Sequence, residues 1–200
     1  SYTFKKVTAN HTIEAVFAKV EAKPTNPFVD VAEGTYYYDP VLWAVANGIT
    51  SGMDATHFGP EGTCTRAHAV TFLWRASGRP EPKTTDMPFR DVKPGSYYEK
   101  AVLWAVENKI VYGTSATTFS PDKNCTRAQI VTFLWRSEGE PYASDSNNPF
   151  TDIASDYYMD AVFWAVKEGI TKGTTPTTFS PNDRCTRAQI VTFIYRAMHL

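Results

Sequence analysis

The chain of 200 residues is poor in the side chains that carry most protein chemistry, with three cysteines and four histidines. Three cysteines far apart in sequence argue against a disulfide framework or a thiolate zinc site. His11, His57, His68 and His199 show no metal-ligand spacing. No apolar run approaches the ~20 residues of a membrane span. The formal charge is −1, so no surplus of cations points to nucleic acid or to an anionic membrane surface. Hydrophobic content of 42% excludes disorder, and aromatic content of 14% suits a compact core or a sugar-binding surface.

What is present is repetition. The stretch Cys125-Thr126-Arg127-Ala128-Gln129-Ile130-Val131-Thr132-Phe133-Leu134-Trp135-Arg136 has counterparts at Cys64 to Arg75 and Cys185 to Arg196, displaced by 61 and 60 residues. A period of this size divides the chain into three units, each small for an independent core.

The repeated stretch reads as a helix start. Thr126 is a good N-cap, and Gln129 three residues on completes a capping box. Thr186 and Gln189 repeat the pair, whereas Thr65 and His68 weaken it, because imidazole is not the usual reciprocal partner. The cap should contribute about 1 kcal/mol per helix. Cys125 at N′ and Ile130 at N4 form the pairing of a hydrophobic staple, so the three cysteines are expected to be buried, reduced and unpaired. The helices should stop near Gly78 and Gly139 and, in the last copy, near the chain end. Arg127 falls at N1, where a cation opposes the helix dipole. That placement makes sense if an anion binds there, held by the arginine and by free N–H groups. A solvated arginine or an ordinary ion pair is the alternative, and shared descent of the repeats also produces the recurrence. On the anion reading N1 is exposed, and Arg127→Ala or Arg187→Ala is expected to spare the fold.

Residues 1–23 fall outside the repeat. Tyr2, Phe4 and Val7, then Ile13, Val16 and Phe17, flank Asn10-His11 and read as a β-hairpin. Each repeat then opens with Pro-Phe-x-Asp, whose aspartates are Asp30, Asp91 and Asp152; such an Asp can cap, turn the chain or bind ligand. A first helix follows, with Thr35, Ser96 and Asp156 as candidate N-caps and a nearly unbroken apolar run around Trp43, Trp104 and Trp164. In the first copy a start at Asp39, with Pro40 at N1, is the alternative. A helix apolar on nearly all sides is buried, which places these three at the shared centre. Gly48 and Gly169 close the helix at C′, with Lys109 standing in the middle copy. Ile-x-x-Gly follows, ending at Gly52, Gly113 and Gly173, and then Phe-x-Pro turns lead to the Thr-Arg-Ala helix.

Pro-Phe-x-Asp, the Trp-Ala-Val helix, Gly-Ile-x-x-Gly, Phe-x-Pro and Thr-Arg-Ala, in this order from Asn26 to Leu200, resemble the S-layer homology domain. The resemblance implies an all-α fold: three tandem helix–loop–helix repeats in a pseudo-threefold spindle with a central three-helix bundle, and three prongs around it. The repeats would span 26–87, 88–147 and 148–200, after a β-hairpin at 1–23 that is similar to the end of an internalin-type B-repeat. The family implies noncovalent anchoring of bacterial surface proteins to secondary cell-wall polysaccharide, often through pyruvylated amino sugars bound in grooves between prongs. Carried over motif by motif, the ligand-binding residues would be Arg66, Arg127 and Arg187, with Asp30, Asp91 and Asp152, and Gly52, Gly113 and Gly173. Arg at a helix N-terminus suits a ketal carboxylate, and the glycines would let a sugar approach the backbone. The chain departs from the family at the fourth motif position, where His68, Gln129 and Gln189 stand in place of the usual Glu.

The expected protein is thus an extracellular, cell-wall-bound monomer with internal pseudo-threefold symmetry. It would take wall polysaccharide as partner, with no nucleic acid, membrane insertion, metal or cofactor. Two other classes compete. A protein–protein scaffold would use the same repeat surfaces. A polysaccharide hydrolase would need two paired carboxylates, and no Asp or Glu pair stands out by context.

Overall fold

The computed structural model describes residues 25–143, 148–154 and 156–200. The hairpin expected over residues 1–23 lies outside the described residues. Within them the protein is all-α, with six helices: α1 (Tyr38–Ala46), α2 (Arg66–Ala76), α3 (Glu99–Glu107), α4 (Arg127–Ser137), α5 (Met159–Lys167) and α6 (Arg187–Ala197). Each repeat supplies a short helix and a longer one. None of the described helices is long and apolar enough to cross a membrane.

The helix ends follow local chemistry. At the end of α1, Gly48 N–H donates to Val45 O and Ile49 N–H to Ala44 O, the two bonds of a Schellman motif. Gly48 sits at φ 63° to make them, and Lys109 takes the same left-handed turn at φ 58° without glycine's freedom, at a cost of about 1 kcal/mol. The buried Ile49, Ile110 and Ile170 then anchor the chain as it leaves. α2 and α4 end two residues before the left-handed Gly78 and Gly139, near where the sequence indicates. The short helices start differently from expectation. Their N-caps are Tyr37, Tyr98 and Tyr158, with no side-chain cap, because the preceding backbone turn already takes the first N–H: Tyr38 N–H donates to Thr35 O, and Glu99 N–H to Ser96 O. Pro40 lies inside the first turn of α1, where its missing N–H costs nothing.

Packing corrects the placement of the Trp helices. The mutually touching helices are α2, α4 and α6, while α3 packs on α2, α5 on α4 and α1 on α6. Each Trp helix therefore covers the long helix of a neighbouring repeat, and α1 closes the ring against α6. Trp104 and Trp164 are buried, but Trp43 is only partly so, packing edge-on against Tyr195 at 5.3 Å. Sequence polarity misled because the long helices look amphipathic yet bury polar residues that are bonded: Thr132 and Thr192 hydroxyls donate back to Ala128 O and Ala188 O.

The centre holds a ring made of backbone. Cys125 N–H donates to Cys64 O at 2.8 Å, Cys185 N–H to Cys125 O at 2.9 Å, and Cys64 N–H to Cys185 O at 3.1 Å. Thr63 pairs with Thr186, Asn124 with Thr65, and Arg184 with Thr126 in isolated antiparallel bridges that repeat the same threefold pattern. All three cysteines are free and buried. Burial pushes the Cys64 and Cys125 thiols up to about 12 and Cys185 well above its ordinary value. At pH 8 a thiol reagent is therefore expected to find none of the three in the native protein and all three after unfolding without reductant. Finding a single reactive thiol in the unfolded chain would reveal a disulfide.

Candidate functional site

The three motif arginines converge with the Phe-x-Pro turns, but the turns belong to other repeats. Arg66 Nε donates to Phe119 O at 2.9 Å and Nη2 to Tyr112 O at 3.1 Å. Arg127 Nε donates to Phe179 O at 2.9 Å and Nη2 to Thr171 Oγ1 at 3.4 Å. Arg187 Nε donates to Phe58 O at 3.0 Å and Nη2 to Ser51 O at 2.9 Å. Each guanidinium also lies over the ring of the phenylalanine whose carbonyl it bonds, at 4.7, 4.8 and 4.6 Å respectively. Arg66 and Arg127 are each 3% exposed and Arg187 is half-buried. The arginines thus do not stand exposed at N1, as the sequence argument required. Burial pulls their pKa values down, and none of the three has a carboxylate within ion-pair distance among the described residues.

The helix N-termini are not open to an anion either. In α4, Arg127 N–H donates to Asp183 O and Ala128 N–H to Pro181 O, while Gln129 N–H goes to the Thr126 hydroxyl and Ile130 N–H to Thr126 O. α2 uses Lys123 O and Pro121 O in the same way, and α6 uses Gly62 O and Pro60 O. All the orphan donors of the first turn are consumed by the capping box and by the next repeat's turn. The capping box is complete even in the first repeat, where His68 Nδ1 accepts from Thr65 N–H at 3.3 Å.

The aspartates act one step behind. Asp91 carboxylate oxygens accept from Phe119 N–H at 2.8 Å and Ser120 N–H at 2.7 Å. Asp30 and Asp152 hold Phe58-Gly59 and Phe179-Ser180 identically. Burial opposes ionisation of Asp30, but those two N–H bonds outweigh it and keep its pKa below the ordinary 3.8. The bonds also offset the left-handed backbone of Ser120 and Ser180, at φ 59° and 58°. These aspartates therefore fix the turn that receives the arginine. The glycines have a packing duty too: a Cβ on Gly52, Gly113 or Gly173 would lie 2.5 Å from Phe28, Phe89 or Phe150.

Beside Arg127 lies a cavity of about 380 Å³ walled by all three repeats and lined by Tyr36, Arg127, Thr171, Lys172, Gly173, Thr174, Gln189, Phe193 and Arg196. No carboxylate lines it, and Arg127 Nη1 has no protein partner among the described residues. Tyr36 is 55% exposed, and its counterparts Tyr97 and Tyr157 are 53% and 52% exposed. Tyr97 stacks on His68 at 5.9 Å. Sequence reasoning missed Tyr36, Lys172 and Arg196 as site residues. The recurring tyrosine pair was a legible signal, since its second member is packed inward and only the first faces solvent.

Two outcomes follow. Arg127→Ala would strip a buried carbonyl, Phe179 O, of its donor and remove a cation stacked on Phe179, so it is expected to destabilise the fold by about 1–3 kcal/mol. Denaturant midpoints measure this, and an unshifted midpoint would restore the exposed-arginine reading. His68 must keep Nδ1 unprotonated to accept from Thr65, and burial, with Arg187 next, pulls its pKa below the ordinary 6.5. Its contribution is therefore present above pH 6.5 and is lost as pH falls through the lowered folded value. His68→Gln should remove this acid sensitivity, read as a flatter melting temperature as pH falls below 6.5.

Comparison with known proteins agrees with this architecture. The S-layer homology domain family matches residues 27–70, 88–131 and 149–191, the three repeats in turn. The match begins after the expected hairpin and lends no support to a B-repeat remnant there. Among relatives, an endoglucanase of Bacillus sp. (strain KSM-635) is 38% identical over 58% of this chain and 12% of its own length. The Surface-layer 125 kDa protein of Lysinibacillus sphaericus is 29% identical over 96% of this chain and 16% of its own. The Cellulosome-anchoring protein of Acetivibrio thermocellus is 27% identical over 86% of this chain and 39% of its own. The chain thus spans well under half of each of these relatives, and it belongs to the S-layer homology domain family, of which it carries three tandem copies.

Proposed function

We propose that the chain is the wall-anchoring part of a larger surface protein of a bacterium, held noncovalently by an acidic secondary cell-wall polysaccharide that carries pyruvate ketals on amino sugars. The observation that carries this is the carboxylate-free cavity with Arg127, Lys172 and Arg196 in its wall and Tyr36 at its edge. A ketal carboxylate suits the free nitrogen of Arg127, and a sugar face suits the exposed ring of Tyr36. The aspartates and glycines contribute by holding the loops in place, while Arg66, Arg127 and Arg187 each contribute one guanidinium edge. Membership of the family, and relatives whose names are those of a surface-layer protein and a cellulosome-anchoring protein, support a location outside the cell at the wall.

The likeness to an endoglucanase covers only 12% of that enzyme's own length. The reading, carried by the cavity, is of a binding module. Sedimentation with purified walls tests it. The protein should pellet with intact walls, stay in solution with walls stripped of the secondary polymer, and be released progressively by salt. Tyr36→Ala should weaken retention with the melting temperature unchanged. Equal retention on stripped walls would move the partner to peptidoglycan or protein and end the proposal.

A further inference from the structure

Three copies of a motif do not make three equal grooves here. The loop position occupied by Lys172 beside Arg127 is Ser51 beside Arg187 and Tyr112 beside Arg66. The position four residues past the last arginine of each long helix is Arg79, Glu140 and Leu200 in turn. These substitutions change what the groove arginines do. Arg75 Nη1 donates to Ile49 O at 3.0 Å and Arg196 Nη1 to Ile170 O at 2.9 Å, so each guanidinium is pinned to the backbone. Arg136 has no such bond. Its guanidinium carbon lies 4.6 Å from the centre of the Tyr112 ring, and its Nε is 3.7 Å from Glu140 Oε1.

The groove of Arg66 is thus occupied by its own protein. An aromatic ring covers the second cation, and a carboxylate offsets its charge. An incoming anion would have to displace both. The groove of Arg127 is the opposite case, with a third cation, Lys172, whose exposed ammonium has no partner among the described residues. The Glu61 carboxylate acts on Tyr36, and the Asp183 carboxylate on the Arg127 guanidinium, only through space, and neither residue lines the cavity. The groove of Arg187 keeps Arg75 but has no lysine, and His68 replaces glutamine, so it stands between the other two.

We propose that the grooves bind unequally: the cavity of Arg127, Lys172 and Arg196 is the principal site for a carboxylate-bearing sugar, Lys172 sets that preference, and Tyr112 with Glu140 closes the groove of Arg66. This rests on the wall-anchoring reading. The ammonium adds a charge-assisted contact that the other grooves lack, and a lysine on a flexible stem reaches an anion without needing the planar fit of an arginine.

Calorimetric titration of the whole chain with a pyruvylated amino-sugar glycoside, and with the same sugar lacking pyruvate, tests the inference. Positions 172 and 112 are both exposed, so melting curves serve as the fold control. Lys172→Tyr should lower the affinity of the tight site 10- to 100-fold, and Tyr112→Lys should add a binding event absent from the parent. If the parent binds the pyruvylated sugar but neither substitution alters affinity or stoichiometry, the grooves are equal and the inference is overturned while anchoring stands. If the unpyruvylated sugar binds equally well, the anion preference is overturned. If the parent binds neither sugar nor intact walls, the anchoring reading fails and the inference falls with it.

Discussion

Everything in this structure depends on how the long helices satisfy their first N–H groups. A helix start leaves orphan donors that must find partners when buried. Here the N1 and N2 donors of each long helix go to carbonyls of the turn in the next repeat, the capping threonine takes N3, and the ring of three cysteine amides and carbonyls lies just before. No repeat can complete these bonds alone. The same turn also receives the side chain of the N1 arginine, so one short segment settles two kinds of buried polar group at once.

The arginines show how a cation is buried without a counterion. Backbone carbonyls of the turn accept from Nε, carbonyl or hydroxyl oxygens of the loop accept from Nη2, and the phenylalanine face below supplies cation–π attraction. A structural role for this side chain therefore does not exclude a binding one. The backbone contacts immobilise the guanidinium, and an immobilised guanidinium loses less entropy when an anion arrives. The aspartate beneath the turn completes the chain of support, since it orders the turn that orders the arginine.

The cavity beside Arg127 draws its walls from three repeats, and the loop position of Lys172 in it is Ser51 and Tyr112 in the other two copies. Ser51, Tyr112 and Lys172 are tolerated equally by the fold, as all three side chains lie outside the core. The motif residues that build the ring are held constant by packing, and the residues that face solvent in the grooves are free to differ.

Much was legible in the sequence. The repeat period, the capping boxes, the Schellman glycines and the unpaired cysteines follow from local rules, because caps and turns are satisfied within a few residues of themselves, whereas the all-α class was implied by the family resemblance. The duties of Asp91 and Arg127 were not legible. The partners of Asp91 lie 28 and 29 residues away, and that of Arg127 Nε lies 52 away, in another repeat. The placement of the Trp helices was misread for the same reason, since apolar character says that a helix is buried but not against which neighbour. Local hydrogen bonding is a property of sequence neighbours and can be read from them. Which turn caps which helix, and whether a groove stays open, is decided only when three repeats close into a ring and bring distant residues together.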